Sequence, residues 1–75
     1  MGCVNPDGTL THTARKVLET IKDEARDDKS IAELTGIPMF KVRSSLREMF
    51  SVGFLGEVEK DQFKITPIGE KVLKG

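Results

Sequence analysis

The apolar residues Ala14, Val17, Leu18, Ile21 and Ala25 recur at three- and four-residue steps, which gathers them on one face of a helix. Thr11 stands before the first of them as an N-cap. The opposite face carries Arg15, Lys16, Glu19, Lys22, Asp23 and Arg26, mixed in sign as a solvated surface requires. Asp27-Asp28-Lys29 interrupts the stripe. Ser30-Ile31-Ala32-Glu33 then has the spacing of a capping box, which starts a short second helix with Ile31 and Leu34 on its apolar side. Gly36 ends that helix by accepting a left-handed conformation, and Pro38 is suited to the first turn of a third helix over residues 38–52, closed by Gly53.

After Gly53 the period changes. Phe54-Leu55-Gly56-Glu57-Val58-Glu59 and Gln62-Phe63-Lys64-Ile65 read as two strands around Lys60-Asp61. A hairpin that sets Glu59 opposite Gln62 also sets Val58 opposite Phe63 and Glu57 opposite Lys64, one apolar pair and one of opposite charge. Thr66 and Pro67 then start a last helix whose apolar edge is Ile68, Val72 and Leu73. Ahead of all this, Asn5-Pro6-Asp7-Gly8 is turn-forming and poor in apolar residues. The expected organisation is a loose arm over residues 1–10 and one domain over residues 11–75. Its class is α+β, mostly α.

Composition narrows the function. The chain has 75 residues, too few for a second domain. A domain of this size buries only roughly 60% of its unfolded surface, so a disulfide, a metal or a partner subunit often helps to stabilise it. Cys3 is the only cysteine and His12 the only histidine, which excludes an intrachain disulfide and a Cys/His zinc site. No cofactor is expected, and association with a second copy is the remaining device. A thiol–imidazole catalyst built on Cys3 and His12 lacks a third group, so no enzyme is expected. Twelve Lys and Arg balance twelve Asp and Glu, which argues against a bulk coat for nucleic acid but leaves room for a local basic face. The chain lacks a long apolar run and the basic, apolar start of a signal peptide, so a cytoplasmic location and no membrane contact are expected. Met1-Gly2-Cys3 suggests acylation, but Pro6 stands where the myristoylation pattern has Ser or Thr.

Two helices joined by a short turn containing Gly36 form the helix-turn-helix pattern. With a helix before and a hairpin after, the chain resembles the winged helix-turn-helix family, especially small bacterial and archaeal regulators related to the multiple-antibiotic-resistance group. The matching strings are SIAELTGIPMFKVRSSLREMFSVGFL, similar to that family's second and recognition helices, and FKITPIGEKVL, similar to its wing exit and following helix. The resemblance implies a three-helix core, a two-stranded wing and a short C-terminal helix. It also implies a recognition helix in the major groove of double-stranded DNA and a role in transcription regulation.

Projection of the third helix places Met39, Val42, Leu46, Met49 and Phe50 on its core side. The open side presents Lys41, Ser44, Glu48 and Ser51, with Phe40, Arg43 and Arg47 along one flank. Residues 37–52 carry a charge of +2, the one basic surplus along a neutral chain. Lys41, Arg43 and Arg47 suit guanine edges or phosphates, Ser44 allows close approach, and Phe40 can meet a thymine methyl or a protein partner, or pack under the first helix or the N-terminal arm. Lys29 and Ser30, at the start of the second helix, and Lys60 and Lys64, in the wing, are the candidate phosphate contacts. Glu57, Glu59 and Asp61 surround the wing lysines, a departure from the basic wings of DNA-binding relatives. The alternative function is therefore a protein-interaction winged helix in a transcription or nucleic-acid-processing complex, with Phe40, Met39 and the hairpin as its contact surface. Homodimerisation is compatible with either.

Overall fold

The computed structural model describes residues 10–74. Residues 1–9, with Cys3 and the start that suggested acylation, lie outside the described residues. Within them the chain forms α1 (His12–Thr20), α2 (Asp28–Thr35), α3 (Met39–Ser51), β1 (Leu55–Glu59), β2 (Gln62–Ile65) and α4 (Pro67–Lys74). The expected class holds: the fold is mostly helical, with four helices and a two-stranded antiparallel sheet.

Thr11 caps α1, its side chain accepting from the Ala14 N–H at 3.3 Å. The helix stops at Thr20, well short of Ala25. Two contacts draw the chain away from helical continuation. The Ile21 carbonyl accepts from Ile65 N–H at 3.2 Å, and Arg26 exchanges both backbone hydrogen bonds with Phe63, at 3.0 and 2.9 Å. Residues 21–26 thus lie along the free edge of β2. The Arg26 guanidinium turns back so that Nε donates to the Thr20 carbonyl at 2.8 Å, satisfying one of the acceptors left at the helix end.

The second helix starts two residues before the expected serine. Asp27 is the N-cap, its carboxylate accepting from Ser30 N–H at 2.8 Å, so Ser30 lies inside the first turn. A carboxylate at this position gains from the helix dipole as well as from the hydrogen bond, which a serine hydroxyl does not match. Gly36, at φ 74°, ends α2 as its sequence position implied. Pro38 sits at the N-cap of α3 and not in its first turn.

The core gathers Leu10, Ala14, Val17, Leu18 and Ile21 at the front of the chain, Ile31 of α2, Val42, Leu46 and Met49 of α3, Leu55 and Ile65 of the hairpin, and Leu73 of α4. Leu10, assigned above to the arm, is therefore a core residue. Several apolar residues expected inside are not. Leu34 is 58% exposed, Phe50 55% and Ile68 56%. Two small residues are buried instead, Ser45 in α3 and Gly69 in α4.

The hairpin register departs from the expected one by a bulge. Glu59 does face Gln62, but Glu57 faces Phe63, Gly56 faces Lys64 and Leu55 faces Ile65. Val58 has no partner across the ladder and is exposed. Without the bulge, Ile65 would face Gly56 and Leu55 would face Thr66. Skipping Val58 instead brings Leu55 and Ile65 together at the buried end.

Thr66 caps α4, accepting from Gly69 N–H at 3.1 Å. Arg15 of α1 donates to the Leu73 carbonyl at 2.8 Å and ties the other end of α4 down. A Cβ at Gly69 would sit 1.9 Å from the Phe54 carbonyl oxygen, a backbone atom that cannot swing aside. Gly69→Ala should therefore destabilise the fold by about 3 kcal/mol, against about 1 kcal/mol for Gly36→Ala, whose penalty is conformational only. At Gly56 an added methyl meets only the Thr66 side chain at 3.9 Å, and Gly56→Ala should stay within about 0.5 kcal/mol of the parent. Chemical denaturation of the three variants checks this order.

Candidate nucleic-acid interface

The burial of Val42, Leu46 and Met49 anchors α3 and turns its opposite side to solvent. Lys41, Ser44 and Arg47 are exposed there, and the side chains of Lys41 and Arg47 form no hydrogen bond or ion pair with any described residue. Phe40, at the first turn, is 70% exposed. It is not packed under the first helix, and packing under the N-terminal arm concerns residues outside the described ones. His12 is likewise exposed, in the first turn of α1.

Arg43 is constrained. Its Nε donates to the Asp28 carboxylate at 3.0 Å, bridging α3 to the start of α2. The other carboxylate oxygen of Asp28 accepts from the Lys29 backbone N–H at 2.8 Å. With Asp27 on Ser30, the expected anion site at Lys29 and Ser30 is therefore occupied by the protein's own carboxylates. The free N–H groups on which that expectation rested are filled from within.

The two hairpin lysines separate as well. Lys60 is exposed in the tip turn, where Asp61 adopts φ 62° and donates its N–H to the Glu57 carboxylate at 2.6 Å. Lys64 instead reaches back so that Nζ donates to the Lys22 carbonyl at 2.8 Å. The bulge is the cause, since Lys64 faces Gly56 and not the expected Glu57. Of the nine residues singled out from sequence, Lys41, Ser44, Arg47 and Phe40 share the exposed α3 surface, and Arg43 joins them in tethered form.

A cleft of approximately 200 Å3 opens between α3 and the hairpin, lined by Asp28, Arg43, Leu46, Arg47, Phe50, Asp61 and Phe63. Asp28, Phe50, Asp61 and Phe63 were not expected there. The spacing of Arg43, Arg47 and Phe50 by one helical turn each was the available signal, because such residues form one stripe. No group of three or more His, Cys, Asp or Glu capable of holding a metal occurs among the described residues. No described helix is long and apolar enough to cross a membrane.

The fold and this surface define a small, mostly helical α+β domain with an uncommitted basic helix face. Comparison with family models, curated proteins and solved structures returned no match for the chain.

The electrostatics of the α2 start are testable directly. The Asp27 carboxyl is held below its ordinary value of 3.8, first by the hydrogen bond from the Ser30 backbone N–H, then by the Ser30 side chain. A depressed folded-state pKa contributes stability that is complete above the unfolded value and is lost as pH falls through the folded one. Asp27→Asn keeps the capping oxygen and removes the titration. The stability advantage of the parent over Asp27→Asn, measured by urea unfolding at stepped pH, should be constant near neutrality and shrink below about pH 4.

Proposed function

We propose that the chain is a winged helix-turn-helix domain that binds double-stranded DNA sequence-specifically and regulates transcription. The observation that carries this reading is the exposed side of α3, where Lys41, Ser44 and Arg47 face solvent on a helix held rigidly by Val42, Leu46 and Met49. The order of elements supports it, with α2 and α3 joined through Gly36 and a hairpin following. An α-helix fits the major groove of B-DNA, where Arg and Lys can donate to guanine and Ser can meet either base edge. Regulation then follows by occlusion or recruitment at a promoter. The hairpin contributes little to affinity, because Glu57, Glu59 and Asp61 surround Lys60, and Lys64 is engaged with Lys22.

A protein-binding role is the second reading, favoured by the exposure of Phe40 and Phe50 on either side of the basic surface. Aromatic side chains left open on a helix are common anchors of protein interfaces. The neutral net charge agrees with it.

Fluorescence anisotropy with random and selected duplexes separates the two. The two free cations on α3, Lys41 and Arg47, imply a log–log salt slope of about −2. Lys41→Glu/Arg47→Glu should weaken duplex binding at least about tenfold, while Phe40→Ala should have little effect. A flat salt response, or full binding by the double charge reversal, overturns the DNA reading.

A further inference from the structure

Arg43 and Asp28 form a pair whose geometry is unlike that of a casual surface contact. Asp28 accepts two hydrogen bonds, one on each oxygen, from the Lys29 backbone N–H and from Arg43 Nε. The first is a hydrogen bond at the start of a helix, so the carboxylate is fixed to the α2 backbone and Arg43 is fixed to the carboxylate. Only Nε of the guanidinium is used. The Arg43 side chain remains 68% exposed while that of Asp28 is 30% exposed, so the acidic partner is the more buried of the two, and the terminal nitrogens of Arg43 have no partner among the described residues. Arg43 also lies one helical turn before Arg47, beside the exposed α3 face.

This arrangement discriminates between two targets for an arginine. The pair is neutral as a unit, so it attracts a phosphate weakly, and the nearby carboxylate repels one. A guanine edge carries no net charge and offers two acceptors, O6 and N7, in the plane of the base. A planar fork whose stem is held, and whose two terminal nitrogens are free, matches that edge without having to lose side-chain freedom on binding. We infer that Asp28 is a positioning residue that holds the Arg43 guanidinium for bidentate reading of one guanine in the major groove, an inference that rests on the DNA-binding reading above. Asp28 thereby exchanges non-specific attraction for base selectivity. Arg47 and Lys41, without such a partner, supply the attraction.

The measurement is anisotropy with a site obtained by selection and with its single G·C-to-A·T replacements, for the parent, Asp28→Asn, Asp28→Ala, Arg43→Ala and the double variant Asp28→Ala/Arg43→Ala. Asp28→Asn keeps an acceptor for Lys29 N–H, and thermal unfolding verifies that every variant is folded. For the parent, one position should show at least about tenfold preference for guanine. Both Asp28 variants should reduce the preference at that position to below about threefold, while affinity for random duplex rises because a negative charge is removed. Arg43→Ala should lose the same preference, and the double variant should lose nothing more. Undiminished guanine preference in both Asp28 variants, or in Arg43→Ala, overturns the role of Asp28 while leaving DNA binding intact. No duplex binding by the parent chain overturns the DNA reading and this inference together.

Discussion

The burial of Leu55 against Ile65 is the contact on which the hairpin register and the end of α1 depend. Fully burying two such side chains is worth roughly 3 to 6 kcal/mol, whereas one cross-strand pair lost at a bulge costs about 0.2 to 1 kcal/mol. Core burial therefore decides the register, and Val58 is left unpaired as the consequence. With Ile65 seated, its N–H reaches the Ile21 carbonyl and Phe63 pairs with Arg26, which together end α1 and carry the chain to α2. Gly69 lets α4 close over the same region by approaching the Phe54 carbonyl. The hairpin is thus built into the core at one end, and only its tip is free.

The start of α2 shows how a helix terminus can be withdrawn from ligand binding. Such an end attracts anions through unsatisfied N–H groups and the dipole. Here Asp27 and Asp28 provide those anions internally. The same two residues stabilise the helix, screen it from phosphate and, through Asp28, reach across to α3. One acidic dipeptide therefore links local capping to the presentation of a side chain on the neighbouring helix.

The legibility of the candidate surface follows the range of the interactions involved. Lys41, Ser44 and Arg47 were placed correctly by helical projection, because a 3.6-residue period determines which side chains oppose Val42, Leu46 and Met49. The tether of Arg43, the partner of Lys64 and the exposure of Phe50 were not foreseen, since each depends on a neighbour far along the chain. Arg43 meets Asp28 only because α2 crosses α3, Lys64 turns to Lys22 only because of the bulge, and Phe50 borders a cleft closed by Phe63. Phe40 shows a further limit. An aromatic ring beside the exposed stripe left both surface contact and packing open, and its 70% exposure is set by the tertiary structure.

By itself the sequence determined the helices and strands and their order, the helix stops at Gly36 and Gly53, the caps at Thr11 and Thr66, and the concentration of positive charge on the third helix. These follow from hydrogen bonding, backbone freedom and periodicity within a few residues. Only the tertiary structure decided where α1 stops, which residue the hairpin skips, which cations remain free and which apolar residues stay outside. Each of those is a competition between a local preference and the burial of distant partners. Here the distant burial is larger, because one core pair outweighs one ladder pair or one further turn of a charged helix.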